Sequence, residues 1–270
     1  MPTIETAYAK INLALHVRAR RDDGYHELET LFAFIDQGDV LTARPADADT
    51  LHQQGEFADD LGVPFGNLAA LALGKLPRPT GLEIALDKRL PVAAGLGGGS
   101  ADAGAIFRIV REIYGLPDDW HERAAALGAD VPACVESRSC IGRGTGTELD
   151  RADDGLAGTP VLLVNPRVAL STVDVFAKWG GEDRGALPDG DAQQIALDGR
   201  NDLEEPAIAL RPVIADVLDT LRGTSPRLAR MSGSGATCFA LYDDGEQRDR
   251  AADHIASSRS DWWQMKGSLR

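Results

Sequence analysis

The sequence predicts an α+β protein of two domains. Apolar and polar residues alternate from Ile11 to Val17 and again from Leu82 to Leu86, which is the period of a half-buried strand. After the second strand and a glycine-rich loop, apolar residues at i, i+3, i+4 and i+7 from Ile106 to Ile113 predict an amphipathic helix. The length of 270 residues fits two domains of ordinary size.

The domain boundary is predicted within a polar, turn-rich segment from Asp150 to Gly158, which precedes an apolar strand at Pro160 to Pro166. We therefore expect an N-terminal domain over residues 1–152 and a C-terminal domain over residues 153–270. In the second domain, a further helix is expected to begin at Pro212.

Composition and charge exclude several classes of partner. The chain has 28 Lys and Arg against 42 Asp and Glu, a net charge of -14, which disfavours nucleic acid and anionic membranes. Three cysteines without a CxxC pair favour neither a disulfide framework nor a zinc site. No signal-peptide pattern and no run of about 18 apolar residues occurs. We expect a cytoplasmic protein that is a monomer or weak homodimer.

The segment PVAAGLGGGSA is a candidate phosphate cradle. It lies between the second predicted strand and the predicted helix, so that backbone N–H groups and the positive end of a helix can face an anion. Ser100 is a candidate contact for phosphate or Mg²⁺. The predicted ATP-binding residues of this loop are Pro91, Val92, Ala93, Ala94, Gly95, Leu96, Gly97, Gly98, Gly99, Ser100 and Ala101.

The spacing of the glycines excludes two common nucleotide motifs. No lysine follows as in a Walker loop, and the glycines do not repeat as GxGxxG. Protein-kinase signatures are also absent from the sequence. A glycine turn without a ligand is the alternative, and the strand before and the helix after the loop favour the cradle over it.

Lys10 and Asp130 are the candidate catalytic pair. Phosphoryl transfer to an alcohol needs positive charge near the moving group and often a carboxylate that accepts the hydroxyl proton. Asp130 stands in LGADVP, before a proline, and is as well explained locally as the N-cap of the next helix. Lys10 lies on the polar side of the first strand, where an exposed lysine at a sheet edge is the alternative.

Six segments of the chain resemble the GHMP kinase superfamily. The resemblance is greatest to the branch whose acceptor is a methyl-erythritol carried on cytidine diphosphate, and it covers nearly the whole chain. The matching segments are AYAKINLAL, RDDGYHELET, LPVAAGLGGGSADA, LGADVP, NDLE and MSGSGATCFA. IGRGTGTEL, at Ile141 to Leu149, and the loop at Gly180 to Ala192 depart from the family pattern.

The resemblance implies a two-domain GHMP fold with the active site in the cleft between the domains, ATP as co-substrate and Mg²⁺ beside it. It assigns catalysis to Lys10 and Asp130 and the ATP site to the glycine loop. Asn67, in GNLAALAL, matches an asparagine near the adenosine pocket. The turn SGSG, at Ser232 to Gly235, is expected to shape the phosphate side of the site, with a tight hairpin turn as the alternative.

The cytidine end of the substrate is expected to contact a second group of residues. An aromatic ring stacks on a pyrimidine and a histidine bonds its edge, which indicates Tyr25 and His26 in GYHELET. The resemblance adds Phe176, with Thr172 nearby, and Asn12. A core aromatic is the alternative for Phe176. Alternative functions are another GHMP kinase, acting on mevalonate, homoserine or a sugar, and a nucleotide sensor without catalysis.

Overall fold

A computed structural model describes residues 2–61, 67–153 and 155–270 of the chain. The chain divides into two compact units that do not follow a single cut in the sequence. Unit 1 comprises Met1–Lys10, Gln37–Val92 and Gly97–Ser137, and unit 2 comprises Ile11–Asp36, Ala93–Leu96 and Arg138–Arg270. The predicted boundary between residues 152 and 153 stays a prediction, and Asp154 beside it lies outside the described residues.

The described residues form strands and helices in mixed order. The strands are β1 (Thr3–Arg20), β2 (His26–Ala46), β3 (Thr50–Gln54), β4 (Gly81–Asp87), β5 (Cys140–Gly144), β6 (Glu148–Arg151), β7 (Pro160–Asn165), β8 (Leu228–Met231), β9 (Cys238–Leu241) and β10 (Trp263–Ser268). The α-helices are α1 (Leu68–Lys75), α2 (Gly98–Tyr114), α3 (Trp120–Ala125), α4 (Val131–Glu136), α5 (Thr172–Lys178), α6 (Ala192–Asp198), α7 (Glu204–Leu210), α8 (Val213–Arg222) and α9 (Gly245–Ser258). Asp59–Leu61 forms a short 3₁₀ helix.

Unit 1 combines a small sheet with helices around α2. The last part of β2 pairs antiparallel with β4, and β4 pairs parallel with β3. Leu82, Ile84 and Leu86 alternate along β4 and are fully buried, as their spacing predicts. Helices α1 and α4 both pack on α2. All residues of α2 from Ala101 to Val110 are buried, so the middle of this helix is enclosed rather than amphipathic.

Unit 2 contains a four-stranded antiparallel sheet in the order β10-β7-β9-β8. Helix α8 packs on β8 and β9, and α9 packs on β7 and β10. The predicted strand at Pro160 to Pro166 is β7, and the helix predicted from Pro212 is α8, with Pro212 at its N-cap. In the same unit, the first part of β2 pairs with β5, and β5 pairs with β6.

The first strand differs from the expectation of one exposed face. Every residue from Ala9 to Val17 is buried, including the polar Lys10, Asn12 and His16. Side chains on both faces of β1 are therefore removed from water, and the interpretation of Lys10 as an exposed edge lysine is wrong. A buried polar group costs free energy unless it is hydrogen-bonded or paired, so each of these residues requires a partner.

Candidate active site

The glycine loop turns into helix α2 earlier than expected. The helix begins at Gly98, and Gly97 is its N-cap with φ +61°, a left-handed conformation that glycine adopts without the strain of a Cβ. No side chain caps this end. The first-turn N–H groups and the positive end of the helix, equivalent to about half an elementary charge, are therefore available to an anion. Ser100 stands in that first turn.

Lys10 and Asp130 meet beside Gly97. The Lys10 ammonium lies 3.0 Å from Asp130 Oδ2, with the lysine side chain 5% exposed and the aspartate side chain 32% exposed. A Cβ on Gly97 would lie 3.0 Å from Lys10 Cε and 3.8 Å from Asp130 Oδ2. The glycine therefore permits the close approach of α2 to the ion pair. All of these residues belong to unit 1.

Asp130 occupies the N-cap position of α4 but does not act as its cap. Its backbone is helical, with φ -82° and ψ -14°, and its side chain makes no cap hydrogen bond. A capping aspartate has an extended backbone and accepts an N–H of the first turn. Asp130 therefore stands at the N-cap position without capping the helix. Its carboxylate instead faces Lys10 and is partly open to solvent.

The first half of the glycine loop is held within unit 2 by the SGSG turn. Ser232 Oγ donates to the Gly95 carbonyl at 2.7 Å, and the Thr237 N–H donates to the Ala94 carbonyl at 3.2 Å. A Cβ on Gly95 would lie 2.3 Å from the Ser232 carbonyl oxygen, so only glycine fits there. The turn also connects β8 to β9. The SGSG segment is therefore a tight hairpin turn, and it also holds the first half of the glycine loop by hydrogen bonds.

Asn67 caps helix α1 and keeps one donor unused. Its Oδ1 accepts the Ala69 N–H at 2.8 Å. Its Nδ2 is buried and has no hydrogen-bond partner among the described residues. The side chain of the next residue, Leu68, lies 3.4 Å from the position of a Cβ on Gly99, so the start of α1 contacts the first turn of α2. An adenine ring offers acceptors for such a donor.

His26 lies in an aromatic cluster in unit 2 together with Phe176 and Trp179. The centroids of His26 and Phe176 are 4.7 Å apart, and Trp179 meets the His26 ring edge-on at 5.6 Å. Burial, followed by the charge of Arg20, lowers the pKa of His26 below its usual value. In the part of the chain that the structure describes, His26 Nε2 is buried and has no hydrogen-bond partner. A neutral imidazole with one unsatisfied nitrogen is suited to the edge of a base.

The other three predicted substrate contacts are also in unit 2. Tyr25 is 64% exposed, at the turn between β1 and β2. Thr172 Oγ1 is 2.8 Å from Ser234 Oγ, so it joins the SGSG turn rather than the ring cluster. Asn12 is 2% exposed, and its Nδ2 donates to Thr30 Oγ1 at 2.8 Å. The Asn12 N–H also lies 3.2 Å from Ser232 Oγ, to which it donates.

Two residues of this region were missed from the sequence. Trp179 is the residue directly after α5 and has an extended backbone, with φ -60° and ψ 130°, so no helical spacing links it to Phe176 in the sequence. His16 alternates with apolar residues along β1, and its local sequence gives no sign of its contacts. Its Nδ1 donates to the Gly185 and Ala186 carbonyls at 3.0 and 2.9 Å, and its Nε2 accepts the Arg200 N–H at 3.2 Å. His16 therefore ties the poorly matched loop to β1.

Among the described residues, no group of three or more His, Cys, Asp and Glu side chains is arranged as a metal site. None of the helices in this described part of the chain is both long and apolar enough to cross a membrane. Ser100, in the first turn of α2, carries a hydroxyl oxygen, and oxygen is the type of ligand that Mg²⁺ prefers.

Two family models match the chain. The model described as GHMP kinases N terminal domain matches residues 65–138, and the model described as GHMP kinases C terminal matches residues 185–260. The first of these spans includes the glycine loop and Asp130. The second begins after the ring cluster of Phe176 and Trp179.

Curated relatives and solved structures are similar over nearly the whole chain. A 4-diphosphocytidyl-2-C-methyl-D-erythritol kinase of Novosphingobium aromaticivorans is 65% identical, over 98% of this chain and 92% of that protein. Its counterpart in Erythrobacter litoralis is 62% identical, over 98% and 99%. A crystal structure of 4-(cytidine 5'-diphospho)-2C-methyl-D-erythritol kinase matches with TM-score 0.83 and 35% identity, over 100% of this chain and 99% of that one. A homoserine kinase from Cytophaga hutchinsonii, at TM-score 0.71 and 17% identity, shares the fold over 99% and 95%.

Proposed function

The chain belongs to the 4-diphosphocytidyl-2-C-methyl-D-erythritol kinases, within the GHMP kinases, and we propose that Lys10 and Asp130 carry its phosphoryl transfer. The protein is an ATP-dependent phosphotransferase with that cytidine compound as acceptor. The proposal also names the acceptor atom and the metabolic pathway of the reaction. The 2-hydroxyl of the methyl-erythritol receives the γ-phosphoryl group, giving the 2-phosphate and ADP, and the step belongs to the methylerythritol phosphate route to isoprenoid precursors.

One observation carries the catalytic assignment, namely the contact of Lys10 with Asp130 beside the start of α2. In the proposed step, the acceptor oxygen forms a bond to the γ-phosphorus as the bond to the ADP oxygen breaks. The hydroxyl proton passes to Asp130. The Lys10 ammonium stabilises the negative charge that is shared by the acceptor oxygen and the moving phosphoryl group.

To accept the proton, Asp130 needs a carboxylate that is not engaged in capping the helix and that the acceptor can reach. Because this side chain does not cap α4 and is 32% exposed, one side of the carboxylate can receive a hydroxyl while the other faces Lys10. Lys10, at 5% exposure, is fixed by its surroundings and presents its charge in one place. Such fixed charges reduce the reorganisation needed during the reaction.

The nucleotide is proposed to bind at the glycine loop, with its phosphates at the start of α2. The uncapped first turn and the inward backbone N–H groups provide the donors. Mg²⁺ would neutralise phosphate charge there, and the Ser100 hydroxyl is the proposed protein contact. The unpaired Nδ2 of Asn67 supports a contact of this residue with the adenine.

The cytidine end is proposed to bind at the ring cluster of unit 2. His26 Nε2, buried and unpaired, supports a hydrogen bond from the base to this nitrogen, while Tyr25 and Phe176 offer ring faces for stacking. Thr172 and Asn12 are proposed as polar contacts to the acceptor. The oligomeric state, as a monomer or weak homodimer, and the cytoplasmic location stay predictions.

The catalytic assignment is tested with Asp130→Asn. The variant keeps the size of the side chain but cannot accept the proton, so we expect kcat to fall by about 10²–10⁴. Binding of a non-hydrolysable ATP analogue, measured by calorimetry, should stay within about twofold of the wild type, a change of under 0.5 kcal/mol. A variant that retains near wild-type turnover would refute Asp130 as the base.

The acceptor is tested by a coupled assay for ADP release. The wild type is offered the cytidine compound, mevalonate, homoserine and galactose in parallel, and only the cytidine compound should support turnover. ADP release with another alcohol would support a different GHMP kinase, and release with none would support a nucleotide sensor.

In the same assay Tyr25→Ala should raise KM for the cytidine compound much more than KM for ATP.

A further inference from the structure

A fully buried lysine in unit 1 takes no part in the proposed reaction. Lys88 follows β4 and is 1% exposed, and its ammonium donates to Asp39 Oδ2 and, at 2.8 Å, to Asp102 Oδ2. Both aspartates are 0% exposed. Burial by itself lowers the pKa of a lysine, but the charges of Asp102 and Asp39 outweigh it here and raise the pKa of Lys88. The ammonium is therefore charged within the interior.

The three residues join both ends of the glycine loop. Lys88 immediately follows β4 and lies shortly before the loop, Asp39 lies on β2, and Asp102 lies in α2 just after the loop. Asp39 Oδ1 also accepts the N–H groups of Arg89 and Leu90 at 2.6 and 2.8 Å. Asp39 thereby fixes the chain entering the loop by hydrogen bonds to its backbone, and the Lys88 ammonium links that point to the helix leaving it.

The buried ammonium also lies directly behind the first residue of α2. A Cβ on Gly98 would be 3.1 Å from Lys88 Nζ and 3.9 Å from Asp39 Oδ2. The first turn of α2 is the part of the molecule whose N–H groups are proposed to hold the nucleotide phosphates. The cluster thus sits against the turn whose position decides the phosphate geometry.

We infer that Lys88, Asp39 and Asp102 form a positioning cluster that holds the glycine loop and the first turn of α2 in the geometry that binds nucleotide phosphate. The inference rests on the proposed function, since it takes the ATP site to be at this loop. None of the three residues contacts substrate in this role. They act through the backbone, at Arg89 and Leu90 on one side and at Asp102 of the helix on the other.

The two carboxyl groups of the cluster are not equivalent. Asp39 accepts from Lys88 and from two backbone N–H groups, so both of its oxygens are used. Asp102 accepts from Lys88 through Oδ2, while its Oδ1 is buried without a hydrogen-bond partner among the described residues. Substitution of Asp39 should therefore disturb the loop more than the same substitution of Asp102, because more of the loop depends on Asp39.

The inference is tested with Asp39→Asn, Asp102→Asn and Lys88→Met, assayed at a temperature where circular dichroism shows each variant folded. KM for ATP should rise about tenfold or more in Asp39→Asn and Lys88→Met and about twofold in Asp102→Asn. KM for the cytidine compound should change less than about twofold in all three. Calorimetric Kd values for ADP with Mg²⁺ should follow the KM for ATP.

A matched control is available on the same helix. Arg108 in α2 is also a buried cation, bonded to Glu5 at 3.0 Å and to the Cys134 carbonyl at 2.6 Å, and it lies away from the loop. Arg108→Met should lower the Tm as the cluster variants do but leave KM for ATP unchanged. This control separates a positioning role from a general loss of stability.

Two results would overturn the inference. One is that the folded cluster variants keep the wild-type KM for ATP and differ only in Tm. The other is an equal rise of KM for ATP in Asp39→Asn and Asp102→Asn, or a rise in Arg108→Met as large as that in the cluster variants. If Lys88→Met does not fold, the two isosteric asparagine variants decide the question. Failure of the proposed function would instead be visible in the wild type, as an absence of ADP release with the cytidine compound.

Discussion

The loop–helix region of unit 1 and the ring cluster of unit 2 are built in opposite ways. Around Lys10, Gly97 and Asp130, charged groups are paired and side chains have little freedom, because even a Cβ on Gly97 would contact Lys10. Around His26, the contacts are with the rings of Phe176 and Trp179, and a buried nitrogen has no hydrogen-bond partner among the described residues. Tyr25, the residue before His26, is 64% exposed. The first region has fixed charges, and the second has flat apolar faces with one free polar atom.

The difference fits the two tasks that we propose for these regions, phosphoryl transfer and recognition of a base. Phosphoryl transfer gains from charges that are in place before the reaction, since their reorganisation would add to the barrier. Recognition of a base gains from ring stacking and from a few hydrogen bonds, which contribute to binding the acceptor. Substitutions in the first region should therefore lower kcat, and substitutions in the second should raise KM for the cytidine compound. Substitutions in each region test this division.

The largest effect is expected from Lys10→Met, which removes the ammonium beside Asp130. We expect kcat to fall by about 10²–10³, as for the loss of a group that stabilises transition-state charge, with KM for the cytidine compound nearly unchanged. Steady-state kinetics with both substrates measure the two values. Lys75→Met, at an exposed lysine of α1, is the control and should resemble the wild type. A raised KM with normal kcat in Lys10→Met would break the division.

A smaller fall in kcat is expected from Gly97→Ala. The alanine must adopt φ +61° and its Cβ meets Lys10 Cε at 3.0 Å, so strain and displacement of the ammonium act together. If this strain of about 1–3 kcal/mol adds to the activation free energy, kcat falls by roughly 5- to 150-fold. Gly115→Ala is the matched control, because Gly115 ends the same helix with φ +82° and has nothing within 4 Å of its Cβ position. Equal loss of kcat in the two variants would refute the contact as the cause.

In the ring cluster, Phe176→Ala should raise KM for the cytidine compound by about tenfold, since stacking of a base on a ring contributes about 1–3 kcal/mol. KM for ATP and kcat should change little. Trp120→Leu removes a ring from a different aromatic pair, formed with His121, and should leave all three constants unchanged. A fall in kcat without a rise in KM would place Phe176 with the catalytic region instead.

The smallest effect concerns pH and His16. Burial, followed by the charge of Arg200, lowers the pKa of His16 below 6.5, so the folded protein keeps the ring neutral. The unfolded chain takes up a proton first as pH falls, and the stability that His16 contributes is present above pH 6.5 and lost below it. Melting temperatures between pH 7.5 and 5.5 should fall more steeply for the wild type than for His16→Gln. Parallel slopes would contradict the role of His16 at the Gly185 and Ala186 carbonyls.

The glycine loop and the pair of candidate catalytic residues could be found from the sequence because their types and order are informative. Glycines between a strand and a helix indicate a particular backbone, and Gly95 and Gly97 do have positive φ. The burial of Lys10 and the cluster around Lys88 could not be found in this way. The local sequence around Lys88 gives no sign of its role, because nothing in it indicates that Asp39, 49 residues away, is its partner.

The mixed α and β composition, the loop that begins α2 and the residue types that phosphoryl transfer needs could be predicted from the sequence, since they depend on local periodicity and local backbone preference. The fold determines which side chains meet. It encloses both faces of β1, brings Asp130 to Lys10 across 120 positions and places His26 on Phe176 across 150. These contacts arise from long-range packing and from the cost of burying unpaired polar groups, neither of which a local pattern contains.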